Sequence, residues 1–63
     1  MGTRMTKEEL RAWRKRLGLT QGQAAEALGL SLRAIQYYER GEREITKTVA
    51  LACAAVEAGL EAA

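Results

Sequence analysis

A chain of 63 residues with 10 basic and 8 acidic side chains and a formal net charge of +2 has room for one domain and one thin core, because a domain this small buries only about 60% of the surface its unfolded chain exposes. Histidine, aspartate, asparagine and proline are absent and Cys53 is the single cysteine. This excludes an internal disulfide and argues against a metal site, a cofactor and the paired acid/base groups of an enzyme.

No apolar run approaches the roughly 18 residues of a membrane span, and the amino end lacks the apolar stretch of a secretion signal. The chain therefore reads as soluble and cytoplasmic, with no membrane or small-molecule partner evident, and Cys53 as a small buried apolar residue. The basic residues cluster as Arg11, Arg14, Lys15 and Arg16, then as Arg33, Arg40, Arg43 and Lys47. Such runs suit a nucleic acid but equally a solvated face.

Helix starts are legible because Ser and Thr hydroxyls accept from backbone amides that a helix start leaves unpaired. Thr6-Lys7-Glu8-Glu9 is a capping box, flanked by Met5 and Leu10 at the spacing of a hydrophobic staple. This helix is predicted to run to about Leu17 and to stop at Gly18. Thr20-Gln21-Gly22-Gln23 is a second capping box, opening a short helix that ends near Leu28. Gly29 suits a left-handed backbone and Ser31 caps a third helix from Leu32 to about Arg40, with Leu30 and Ile35 repeating the staple. Gly41 ends it, Glu42-Arg43-Glu44 forms a charged loop, and Thr46 or its neighbours open a last helix toward Leu60.

Two short helices joined by three residues are the layout of a helix-turn-helix, here spanning residues 20–40 of a single domain over residues 1–63. Steeply crossed helices need a small residue where they meet, and Ala25 stands there, four before Gly29. The second helix must return bulky groups to the core, which Ile35 and Tyr38 can do from positions three apart. Leu32, Arg33, Gln36, Tyr37 and Arg40 then share the outer stripe, which can enter a major groove. There Arg33 can pair bidentately with guanine, Gln36 with adenine, and Leu32 can meet a thymine methyl or else tuck into the core. Tyr37 can reach a base edge or a phosphate.

Leu10-x-x-x-Arg14-x-x-Leu17-Gly18-Leu19-Thr20-Gln21, followed by Ala25, Leu28, Gly29, Ser31, Ile35 and Glu39-Arg40-Gly41, resembles the Cro/repressor-like (XRE) helix-turn-helix family over about residues 8–60. The resemblance implies an all-α, compact four- to five-helix lambda-repressor-like DNA-binding domain. It implies base contacts from Leu32, Arg33 and Tyr37, with Gln36 beside them. It also implies that Gln21 bonds a phosphate while bracing the base-reading helix, and that Arg40 and Arg43 meet phosphates; Ser31 and Lys47 are added to that phosphate set. It implies an internal ion pair of Arg14 with Glu39, in keeping with Arg14 lying between Leu10 and Leu17 on the packed face. Two departures stand out: the family usually has five helices where this chain has room for about four, and Glu42 and Glu44 place acids where relatives tend to be basic or polar.

On a helical wheel the last helix, about residues 46–60, gathers Thr46, Lys47, Glu57 and Glu61 in one sector and spreads apolar residues over the rest, an arc too wide for one contact. One edge is expected to cover the core and the other, through Val49, Cys53, Val56 and Leu60, to form a homodimer. A two-fold dimer presents two recognition helices about 34 Å apart to a palindromic double-stranded operator. The function expected is therefore that of a homodimeric transcriptional repressor, often of its own operon. The alternatives are an antitoxin, restriction-control or anti-defence operon regulator that also binds a protein, and a protein-binding helical module without DNA binding.

Overall fold

The computed structural model describes residues 5–62, with side chains through residue 59. Four helices follow one another: α1 (Lys7–Arg16), α2 (Gln21–Leu28), α3 (Leu32–Arg40) and α4 (Lys47–Ala62). Among the described residues there is no strand, so the expected all-α class holds. Each start is chemical. Thr6 and Thr20 close full capping boxes: Glu9 N donates to Thr6 Oγ1 at 3.1 Å while Thr6 N donates to Glu9 Oε1 at 2.8 Å. Gln23 and Thr20 repeat the exchange at 3.1 and 2.9 Å. Ser31 Oγ accepts from Ala34 N at 3.1 Å, and Thr46 Oγ1 accepts from Val49 N at 3.3 Å.

The helices stop where the backbone turns left-handed. At Gly29, φ is +71°, and the chain reverses with Leu30 N donating to Ala25 O at 2.8 Å and Gly29 N to Glu26 O at 3.2 Å. This pair of bonds is a Schellman closure, which satisfies carbonyls the helix end leaves open. The sharp stop is what fits α2 and α3 to each other: α3 packs against both α1 and α2, and α4 closes on α2. Ala25 is buried at this junction, as is Ile35.

The core is built from Leu10 and Trp13 of α1, Ala24 of α2, Tyr38 of α3, Ile45 of the loop, and Val49 and Cys53 of α4. Met5, Leu17, Leu19, Leu28, Leu30, Ala34 and Val56 pack around it, so Met5 stands against the core that includes Leu10. Trp13 is buried with its polar edge satisfied, because its indole N–H donates to Cys53 O at 3.1 Å. That bond ties α1 to α4. At the surface, Arg16 Nη2 meets Glu57 Oε1 at 2.6 Å and joins the same two helices.

The last helix corrects one expectation. Val49 and Cys53, expected at a dimer interface, lie inside this chain's own core, Cys53 only 1% exposed. A side chain without surface cannot meet a second chain. Val56 is half-buried against the same core, and the side chain of Leu60 lies outside the described residues. The apolar arc is split the other way: Leu51, Ala54, Ala55 and Ala58 face outward, with Leu51 60% exposed. Their spacing of three, four and seven makes one stripe along α4. A single continuous helix of 16 residues thus ends the described fold, which has four helices.

Candidate nucleic-acid interface

The outer side of α3 is built by its own periodicity. With Ile35, Tyr38 and Glu39 turned inward, Leu32, Arg33 and Arg40 are exposed and Gln36 and Tyr37 half-buried. Leu32 is 47% exposed, so of its two readings the structure favours the surface over the core. Arg33 stands in the first turn, two residues past the Ser31 cap, exposed and engaged in no ion pair among the described residues. Its guanidinium is therefore open to solvent in the first turn of the helix that follows the Gly29 turn. Lys47 is likewise exposed, at the start of α4.

Behind that face lies the one buried charged side chain of the described residues, Glu39, 4% exposed. Arg14 of α1, itself only 15% exposed, forks onto it, Nε donating to Oε2 at 2.7 Å and Nη2 to Oε1 at 3.1 Å. Arg14 Nη1 also donates to Leu19 O at 3.2 Å, holding the α1–α2 turn. Gln21 Nε2 donates to Glu39 Oε1 at 3.2 Å. Because a carboxylate only accepts, this bond fixes the amide with its NH2 toward Glu39 and leaves a second N–H for another acceptor. Burial raises the Glu39 pKa, but the hydrogen bonds from Arg14 and Gln21 and the charges of Arg14 and Arg11 outweigh it and hold the carboxyl below its ordinary value of 4.5. The carboxylate stays charged and pins α3 to α1 and to the first residue of α2.

Arg11 belongs to the same node. Its Nη2 donates to the backbone oxygen of Glu39 at 3.0 Å and its Nε lies 3.7 Å from Glu39 Oε1, so it holds both main chain and side chain near the carboxyl end of α3. The sequence reading placed Arg11 only in a basic cluster, although its distance of three from Arg14 puts both on one helix face. Nothing in the sequence signals the Arg16–Glu57 pair or the Trp13 bond, which join residues 41 and 40 positions apart.

Also at the carboxyl end of α3, Arg40 Nη1 lies 3.7 Å from Glu42 Oε1, both groups more than half exposed, a pairing that water screens. Arg43 lies over the ring of Tyr37, its Cζ 5.2 Å from the centroid. Cys53, by contrast, offers no chemistry to this surface: burial pushes its thiol up to about 11. Among the described residues there is no cluster that could hold a metal, and no helix is long and apolar enough to cross a membrane.

The arrangement of capped α2, Gly29 turn and projecting α3 has relatives. Among curated proteins, none matches the chain. In the crystal structure of NE0471 from Nitrosomonas europaea ATCC 19718, a provisionally assigned DNA-binding protein, a chain 38% identical covers 79% of this one with a TM-score of 0.76. The match takes in 32% of that longer chain, so the present sequence spans about a third of it. The family described as helix-turn-helix matches residues 10–56, which include all of α2 and α3 and the Arg14, Gln21 and Glu39 node that holds them. On that match, and on the helices and turn it covers, the chain belongs to the XRE-type helix-turn-helix family.

Proposed function

We propose that this chain is a sequence-specific double-stranded DNA-binding regulator, acting as a homodimeric repressor at a palindromic operator. The observation that carries the reading is the α3 face: a helix held from behind by a charged node at Glu39 and presenting Leu32, Arg33, Gln36 and Tyr37 outward. Arg33 and Gln36 read base edges, Leu32 meets a thymine methyl, and Gln21, Ser31, Arg40, Arg43 and Lys47 position the helix on phosphates. Gln21 couples the two tasks, one N–H on Glu39 and the other toward a phosphate. Two copies associate through the outward stripe of α4, Leu51, Ala54, Ala55 and Ala58, where small residues allow close helix approach.

The test is selection of bound fragments from random DNA, followed by competition titration with every substitution at each position of the selected site. A palindrome is expected. Arg33→Ala should relax preference at one base pair in each half-site, by about 1–3 kcal/mol of discrimination, and leave non-specific binding nearly unchanged. Uniform loss across the site would instead make Arg33 a phosphate clamp, and parent binding that ignores salt would set DNA aside in favour of a protein partner.

A further inference from the structure

The carboxyl end of α3 does more than stop. Gly41, at φ +77°, turns the chain left-handed, and the reversal is locked by two backbone bonds, Glu42 N to Tyr37 O at 2.9 Å and Gly41 N to Tyr38 O at 3.1 Å. The first of these bonds starts from the residue just before Arg43 and ends on Tyr37 itself. The next side chain along the chain is thereby brought back over the last turn of α3, where the Arg43 guanidinium rests 5.2 Å above the Tyr37 ring. The tyrosine is half-buried and the arginine exposed, so one partner is anchored and the other faces solvent.

A guanidinium over a ring is held by cation–π attraction and not by a hydrogen bond to an acceptor, so its N–H groups stay available to an anion. Stacking therefore takes away rotamer freedom without consuming a donor. From this geometry we infer that Tyr37 is a positioning platform: its ring, rather than its hydroxyl, sets Arg43 as a pre-ordered planar fork for one backbone phosphate beside the groove that α3 enters. An arginine already in place loses less entropy on binding than a free one. The inference rests on the DNA-binding reading and deepens it, because it moves Tyr37 from base reading to the arrangement of a phosphate contact. It also accounts for how an arginine flanked by Glu42 and Glu44 is held in one direction.

The stack itself is tested in the free protein. Ring currents from Tyr37 should move the Arg43 side-chain proton signals upfield, a shift kept in Tyr37→Phe and lost in Tyr37→Leu. Its role is tested by titrating the parent and variants with a selected operator duplex and a random-sequence duplex over a range of salt. Each lost phosphate contact should reduce the slope of log affinity against log salt by about 0.9 per protomer. Arg43→Ala is expected to lose that slope; Tyr37→Phe should match the parent on both duplexes, and Tyr37→Leu should keep the slope but lose affinity on both duplexes alike, a loss that disappears when residue 43 is already alanine.

A Tyr37→Leu protein that retains the parent affinity, or a Tyr37→Phe protein that relaxes one base pair as fully as Tyr37→Leu does, would overturn the platform and return the hydroxyl to base reading. Absence of salt-dependent binding by the parent would overturn the DNA reading, with the proton shift still reporting whether the stack exists. Thermal melting of each variant separates loss of contact from loss of fold.

Discussion

Glu39 is the residue on which the most structure converges. Its carboxylate receives Arg14 and Gln21, with Arg11 alongside and on its backbone oxygen, so removing it strands a nearly buried guanidinium. Breaking one side of a buried pair typically costs about 3–5 kcal/mol. Because Arg14 keeps 15% exposure and can turn toward water, Glu39→Ala should fall at the lower end, about 3 kcal/mol, measured by denaturant unfolding. A variant that unfolds like the parent would show that the node contributes nothing to stability.

The same residue sets an acid limit. Its native pKa lies below the ordinary 4.5, so the stability it provides is complete above that value and is lost as pH falls toward and through the lowered native pKa, where the folded carboxylate finally takes a proton. Unfolding free energy measured across this range should decline with falling pH in the parent and decline less in Glu39→Gln. Equal slopes would remove Glu39 from the acid response. The Arg14–Glu39 partnership was legible from the wheel position of Arg14 and the family resemblance. Arg11 was not, because a basic residue in a basic cluster carries no sign of which carbonyl it will reach.

At the scale of elements, the four helices were readable from residues within five positions of each end. Thr6, Thr20, Ser31 and Thr46 start them and Gly18, Gly29 and Gly41 stop the first three, because caps and left-handed turns depend on local hydrogen bonds and local sterics. Gly29 offers a clean measure of that. A Cβ there would meet nothing within 4 Å, so Gly29→Ala tests the φ of +71° alone and should cost about 1–2 kcal/mol, read by thermal or denaturant unfolding. At Gly41 a Cβ would also meet Lys7 Cδ at 3.1 Å, the flexible end of an exposed side chain that can move aside, so Gly41→Ala should cost only slightly more. If Gly29→Ala proved neutral, the turn between α2 and α3 would have another low-energy form.

At the scale of the whole molecule, the question is which apolar residues of α4 face inward. Val49 and Cys53 are core residues, whereas Leu51 is open to water. Val49→Glu should therefore unfold the domain by placing an unpaired charge in the core. Leu51→Glu should leave the melting temperature near that of the parent and shift sedimentation toward monomer, with half-site contacts on DNA retained. A parent that sediments as a monomer both free and on its operator, or a Leu51→Glu dimer as tight as the parent, would rule out the α4 stripe as the interface.

What the sequence determined by itself was everything short in range: the caps, the stops, the small residue at the α2–α3 crossing, and the alternation in α3 that sends Ile35 and Tyr38 inward and Arg33 and Arg40 outward. These depend on a helix period and on bonds across three or four residues, and both are written in the order of the side chains. Only the tertiary structure decided which edge of α4 is covered, that Trp13 closes on Cys53 O, that Arg16 meets Glu57, and that Arg43 folds back over Tyr37. An apolar arc says that something will be covered, and a basic cluster says that charges will be met. Neither names the partner, because burial and pairing belong to surfaces that exist only once distant parts of the chain have come together.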